Sequence, residues 1–497
     1  MGLLSKLSHI YSILQALKIE LTESKTSFDN LKSRVNTPSF PISTPTPSSW
    51  QNDPFHFPPQ SLPGTADIVI IGSGISGASI AYTLLKKCPT SKIVMLEARE
   101  VCSGATGRNG GHIKCSAYLE YASLKARFGT RAKHIIEYQR RHMPLLLGLI
   151  EELGIDAEAR EVDTLDIFTD SKMWEDAKKM VLEIKEDLPD VQDFVIYDGV
   201  EGCQCLCLKK LETDRIQEFN VNPAHCYGII KYRAAALSPY KFITSLYAIL
   251  LENPNFAISP NTTATQIEYT DIFTASTTRG PITASHIVHA TDGFAATLIP
   301  GLKEKIFPVR GHMTSQTGSA FDTSRSWCIH HKRGFDYISQ RPGGELMVGG
   351  GMIQSPEKGI DEFGIWRDDG LCYSIRAYLG GLVETVFETT SKVEQAWTGC
   401  MGFTPDLLPF VGRLEESITG RGNGEGAEWI SAGFQGEGMV FAWLSGVAVA
   451  LMIAGDQKVR GEAGIPGGRV QDWLPRELIC SKERIDRLSI SDLGTLL

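Results

Sequence analysis

Six residues, Gly72-Ser73-Gly74-Ile75-Ser76-Gly77, follow directly on the apolar run Asp67–Ile71 and lead into a helix-forming stretch, Ala78–Lys87. Glycines at this spacing between a buried strand and a helix make a phosphate cradle. The first permits the tight turn, the second lets the backbone approach a pyrophosphate, and the third lets helix and strand pack closely. The helix N-terminus adds unpaired N–H groups and a positive dipole end. A second apolar run, Lys92–Leu96, ends in Glu97 and Ala98. The acid lies about 20 residues beyond the middle glycine, where a carboxylate accepts hydrogen bonds from ribose hydroxyls and repels a 2′-phosphate. Residues 72–77 with Glu97 and Ala98 are therefore expected to bind a dinucleotide, NADP being disfavoured.

Three further segments carry small residues next to strand-like runs. They are Gly104-Ala105-Thr106-Gly107-Arg108-Asn109-Gly110-Gly111-His112, Ile287-Val288-His289-Ala290-Thr291-Asp292-Gly293, and Trp429-Ile430-Ser431-Ala432-Gly433-Phe434-Gln435-Gly436-Glu437-Gly438-Met439. Together with the fingerprint, and in this order, they resemble the D-amino-acid oxidase / glycine oxidase / sarcosine oxidase family of flavoproteins, in the flavour of its fungal members similar to γ-glutamylputrescine oxidoreductase. The resemblance runs from about Ser49 to Gly455 and implies FAD as cofactor. It implies that 104–111 is a flavin loop lining pyrophosphate and ribityl chain, with Arg108 as a cation. It implies that Ala290 and Thr291 return the chain to the nucleotide and that Ala264 makes a backbone contact to the adenine. Gly433, Gly436, Gly438 and Met439 would open a helix whose positive end meets the pyrimidine edge of the flavin and steadies the charge it gains on reduction.

The family oxidises C–N bonds by hydride transfer to flavin N5, so an amine or amino acid is the substrate the resemblance implies. Departures from the family pattern narrow this. Thr404 stands in Gly402-Phe403-Thr404-Pro405 where amino-acid oxidases place a carboxylate-binding arginine, and Val440 stands where the sarcosine-oxidase branch has a lysine. An amine or alkaloid-like substrate is then expected over a free α-amino acid, unless Lys114 or Arg341 substitutes. Met347 replaces an oxygen-activating lysine, so the electron acceptor is oxygen or another molecule. Cys400 lies near a covalent flavin attachment point and otherwise reads as a small buried thiol. The candidate catalytic residues are Glu437, to pair with a cationic amine or else a solvated loop acid; His112, a base or a structural hydrogen-bonding group; and Tyr337, a cavity wall or core tyrosine. An FAD monooxygenase is the alternative enzyme, although a second dinucleotide fingerprint is missing; a catalytically silent flavin-binding partner protein is the alternative outside enzymes.

These residues need an α/β scaffold: an FAD-binding Rossmann-like domain interleaved with an antiparallel-sheet substrate domain. The expected division is an amphipathic helix and linker over 1–48, FAD-binding parts over 49–116, 234–309 and 396–460, a cap insertion over 117–233, an antiparallel sheet over 310–395 and a tail over 461–497. A charged helix is expected over Lys172–Glu186. Leu4, Leu7, Ile10, Leu14, Leu17 and Leu21 give the leading segment helical spacing, but Glu20, Glu23 and Asp29 make it unlike a basic presequence, so packing on the enzyme or a loose tail is expected. A net charge of −9 over 497 residues argues against nucleic acid. No apolar run reaches the roughly 18–20 residues that span a bilayer. Eleven cysteines without a secretory pattern suggest free thiols and a cytoplasmic enzyme. Cys203, Cys205 and Cys207 lack the Cys-x-x-Cys pairing of zinc sites, and no metal is expected.

Overall fold

The computed structural model describes residue 18 and residues 22–495, apart from 58–60, 192, 199–208, 211–218, 220, 319–320, 333, 388, 423–425 and 456–457. The leading apolar positions up to Leu17, Leu21, and the three cysteines at 203, 205 and 207 lie outside the described residues. The principal helices are α1 (Ile75–Lys87), α2 (Ala117–Phe128), α3 (Ala132–Glu152), α4 (Ser171–Asp187), α5 (Pro239–Leu250), α6 (Tyr373–Phe387) and α7 (Gly438–Ile453).

Two sheets divide the work. In the first, five parallel strands lie in the order Ala427–Ala432, Ile282–His289, Thr65–Ile71, Ile93–Leu96 and Phe256–Ser259. Phe410–Arg413 closes one edge antiparallel, and the hairpin of Ala264–Tyr269 and Phe273–Thr277 extends from Ile282–His289. Ile68–Ile71 and Ile93–Leu96 are wholly buried, as strands covered on both faces must be. One cover is α1 packed on α7, whose apolar residues run all round the helix because almost none reaches solvent. The long apolar stretch at 440–453 is thus a core helix. Contact is closest at Gly446, where a Cβ would stand 1.9 Å from Ser79 Oγ.

Among the described residues the second sheet has ten strands. From one edge inward it runs Lys392–Phe403, Phe307–Thr317, Leu346–Gly349, Gly334–Gln340, Arg325–His331, Arg160–Phe168 and Gly228–Ala236. Neighbours in this run are antiparallel except Arg325–His331 with Arg160–Phe168, and Val195–Asp198 pairs parallel with Lys209–Lys210 beyond it, so the sheet is mixed and not purely antiparallel. The short strand His112–Ile113, just after the second glycine loop, joins it beside Gly228–Ala236. This pairing ties the nucleotide-binding half to the second sheet. A helix over 22–35 packs Leu31 and Val35 into a cluster with Ile299, Phe307 and Trp366, so the leading segment is docked on the enzyme where it is described.

Candidate active site

The turn after Thr65–Ile71 is built as its glycines require. Gly72 has φ +108°, and a Cβ there would lie 2.3 Å from the Ala290 carbonyl oxygen. A Cβ on Gly77 would lie 2.1 Å from Gly72 O, so α1 can start this close to the strand only with glycine at 77. Gly74 is the N-cap of α1, and the Ile75 N–H donates to Thr106 Oγ1 at 2.9 Å. Glu97 accepts from Ser73 Oγ at 2.6 Å and from the Arg99 N–H at 2.9 Å, which fixes its carboxylate at the strand end. Ser73 Oγ in turn accepts from Cys102 N at 2.9 Å. Ser76 is turned the other way, its Oγ donating to Ser431 Oγ at 2.7 Å.

A continuous cavity of about 1970 Å³ opens from this turn. Its wall includes Gly72–Ser76, Glu97, Ala98, Gly104–Thr106, Asn109, Gly110, Ala264, Ala290 and Thr291, and at the far end His112, Tyr337, Gly436, Glu437, Gly438 and Met439. The fingerprint, the second loop, the strand end at 290 and the opening of α7 therefore face one space. A drug-sized ligand takes roughly 300–1,000 Å³, so this cavity suits a dinucleotide with a substrate beside it. Among the described residues the Thr291 hydroxyl, buried on that wall, has no protein partner, and it is a polar group that a bound cofactor would satisfy.

Gly77, Gly107, Gly111, Gly433 and Arg108 are not on the wall. The glycines shape the backbone behind it; Arg108 corrects an expectation. Its guanidinium turns away from the cavity, donating from Nε to Thr398 O at 2.6 Å and from Nη2 to Thr46 Oγ1 at 2.9 Å, with Asp368 3.6 Å away. Burial lowers its titration to about 10, against the pull of Asp368. The reason is local: a buried acid and carbonyls behind the loop compete successfully for the charge.

The turn into α7 is held by an acid that no motif marks for a role. Asp292, at φ +45°, accepts from the N–H groups of Gly402 at 2.7 Å, Gly433 at 2.9 Å and Phe434 at 3.3 Å. Burial raises its carboxyl titration, and these three donors oppose the rise.

Beyond the turn, the cavity wall has two charged regions. Glu437 faces Glu120 of α2, and Gln139 of α3 donates from Nε2 to both, at 3.3 Å and 2.7 Å respectively. Burial, then repulsion by Glu120, pushes the Glu437 carboxyl well above its ordinary range, and burial raises Glu120 too. The pair keeps a proton where isolated carboxyls would have lost theirs. The other region is the face of the second sheet that carries Lys114, Cys328 and His330. Lys114 Nζ lies 2.7 Å from Asp166, a fully buried acid that also accepts from Tyr118 Oη at 2.6 Å and Tyr232 Oη at 3.0 Å. Burial opposes the Lys114 charge, but Asp166 outweighs it and lifts the titration above the lysine range. Burial likewise opposes charge on His330, yet Cys328 and Asp166 hold it at about 9. The His330–Asp166 separation of 3.4 Å is an ion pair without hydrogen-bond geometry. Asp166, Cys328 and His330 have ligand atoms within 4.8 Å of one another, but the Lys114 ammonium already takes the carboxylate that a metal would need.

His112 hydrogen-bonds through Nε2 to Ser326 Oγ at 2.8 Å. Burial, aided by Lys114, depresses its titration to about 3, which suits a neutral structural imidazole better than a base. Tyr337 donates to Met313 Sδ at 3.1 Å, and burial raises its phenol, so it serves as cavity wall.

The chain matches the family model described as FAD dependent oxidoreductase (DAO) over residues 67–452. The chain belongs to this family. It is an FAD-dependent oxidoreductase. Among its relatives, γ-glutamylputrescine oxidoreductase of Escherichia coli is 21% identical over 79% of this chain and 84% of that protein. Glycine oxidase of Bacillus licheniformis is 23% identical over 78% of this chain and 93% of that protein. The fold is that of glycine oxidase from Geobacillus kaustophilus, with a TM-score of 0.60 at 16% identity over 80% of this chain and 97% of that one. L-proline dehydrogenase from P. horikoshii superimposes with a TM-score of 0.61 at 18% identity, covering 83% of this chain and 98% of the other. None of these relatives supports the fungal flavour read from the sequence.

The departures from the family pattern have structural counterparts. Thr404 is fully buried, its hydroxyl donating to Leu408 O at 2.9 Å and accepting from Gln435 Nε2 at 3.0 Å. Val440 is a buried apolar part of the wall. Arg341 is taken by Glu158 and Glu345 at 2.7 and 2.6 Å, over the Trp50 ring, and is not on the wall, whereas Lys114 is. Met347 is fully buried in the core, off the wall. Cys400 lines the cavity, but burial raises its thiol far above the range in which a thiolate forms. Among the described residues no helix is long and apolar enough to cross a membrane.

Proposed function

We propose that this flavoprotein oxidises the C–N bond of a cationic amine, leaving an imine. The observation that carries the reading is the pair Glu120 and Glu437 on the cavity wall beside the opening of α7, bridged by the buried Gln139. Bound FAD supplies the acceptor for the hydride that leaves the carbon next to nitrogen. The residues of the chain bind, orient and dry the substrate. An ammonium cannot release hydride until it has lost a proton, and the carboxylate of the acid pair is placed to hold the cation and then accept that proton. Phe434, Met439 and Val440 give this end of the wall an apolar lining that excludes water. The names of the relatives, for γ-glutamylputrescine and glycine, support a nitrogen-bearing substrate.

A second reading rests on Lys114 and His330. Their charges exceed that of Asp166 by one at neutral pH, and both reach the wall, so a substrate carboxylate could be received there. Steady-state comparison of primary and secondary amines with their α-carboxylated analogues separates the two. The amine reading expects the amine to have the higher kcat/KM; a clear preference for the acid would overturn it and favour Lys114. Absence of turnover with every amine and amino acid would support a silent flavin-binding partner.

A further inference from the structure

Residues 46–51 pass behind the second glycine loop, outside the span matched by the family model. Three successive carbonyl oxygens of that loop are held from behind. Gly107 O accepts from Ser48 Oγ at 2.9 Å and from Gln51 Nε2 at 3.4 Å. Arg108 O accepts from Trp397 Nε1 at 2.8 Å, and Asn109 O from Trp50 Nε1 at 2.6 Å. None of these donors lines the cavity. The Arg108 side chain is gripped by the same segment: Nη2 donates to both the hydroxyl and the carbonyl of Thr46. Thr46 is itself fixed, donating from N and Oγ1 to Asp368 O at 2.8 and 2.9 Å and accepting from Thr398 N at 2.9 Å. Ser48 is 1% exposed and Trp50 6%, so these bonds are sheltered from water.

The electrostatic consequence follows from the charge of the ligand. A carbonyl oxygen aimed into the cavity would repel a pyrophosphate; each one drawn backward leaves the cavity face to Ala105, Thr106, Asn109 and Gly110. We propose that Thr46, Ser48 and Trp50 are positioning residues for FAD, a clamp that holds the loop 104–111 in its cofactor-binding shape without touching the cofactor. The clamp takes the part that a cationic Arg108 on the cavity wall would otherwise play.

The test is cofactor retention in the full chain, with Thr46→Val, Ser48→Ala and Trp50→Phe made singly and together. One hydrogen bond is worth about fivefold in affinity. The combined variant is expected to bind FAD at least about tenfold more weakly, read from flavin fluorescence released on diluting the holoenzyme. Thr46→Ser keeps the hydroxyl and is expected to stay within about twofold of the parent. Val35→Ala trims a fully buried residue of the leading segment that is off the cavity wall and packs in the cluster of Ile299, Phe307 and Trp366. It is expected to lower the melting temperature at unchanged FAD affinity. If the combined variant does not fold, Ser48→Ala and Trp50→Phe alone give the reading, each about fivefold. Unchanged FAD affinity in the clamp variants would overturn the proposal. So would an equal loss in Val35→Ala, because the effect would then be one of general stability.

Discussion

Glu437 and Glu120 are far apart in the chain, and only the packing of α2, α3 and the opening of α7 brings them within reach of one glutamine. Because their mutual repulsion raises the Glu437 titration, Glu120→Gln is expected to let Glu437 ionise at lower pH. The acid limb of kcat/KM for an amine would move to lower pH, measured as a pH–rate profile. Replacing both acids, Glu120→Gln with Glu437→Gln, removes the charge of the pair and is expected to raise KM for a cationic amine about 10- to 100-fold, the scale of a charge-assisted hydrogen bond; an unchanged KM would remove the pair from substrate binding. On the opposite region of the wall, His330 titrates at about 9, above the free imidazole. A raised imidazole stabilises the fold fully below its unfolded pKa of about 6.5 and loses that contribution as pH climbs through its folded value. His330→Gln should therefore cost about 1–3 kcal/mol at pH 6 and markedly less at pH 10, seen in denaturant unfolding at the two pH values.

At the scale of elements, the strand–turn–helix at 65–87 was the most legible part of the sequence. Its glycines do their work against residues only a few positions away, or against a parallel neighbour strand, so local pattern suffices. Gly77→Ala tests it: a Cβ 2.1 Å from Gly72 O forces α1 off the strand. The expected result is a loss of about 1–3 kcal/mol in thermal unfolding together with weakened FAD binding. The apolar run at 440–453 was equally readable as a helix, since its residues lack a polar face. Arg108 was not readable. Its motif fixed the loop but not the direction of the side chain, which is decided by Thr46, Asp368 and Thr398 in three other segments. Glu120 and Gln139 looked like ordinary helix residues, with no spacing to mark them. Asp292 lies among small residues whose spacing does not mark it, although its carboxylate organises the turn at 433.

The whole molecule places one large cavity between a parallel nucleotide sheet and a mixed sheet, with His112–Ile113 crossing from one to the other. FAD binding was legible from four separated segments in order, because each makes backbone contacts that require small residues. Substrate choice was less legible, because it depends on charges that meet only after folding: an acid pair on α2 and at the start of α7, and a lysine–histidine pair over one buried aspartate. The sequence-based loss of two cations, at Thr404 and Val440, has its counterpart in a buried hydroxyl and an apolar wall. Both charged regions open on the space that also takes the cofactor, and their opposite signs make the substrate's own charge the deciding quantity. The measurement that meets this most directly is the visible spectrum of the purified protein during anaerobic mixing with amines and their α-carboxylated counterparts. Flavin absorption is expected to bleach within one turnover on adding a cationic amine, and more slowly, or not at all, with the carboxylated analogue. Bleaching by the α-carboxylated compound alone would contradict the amine reading, as would flavin that stays oxidised with every amine tried.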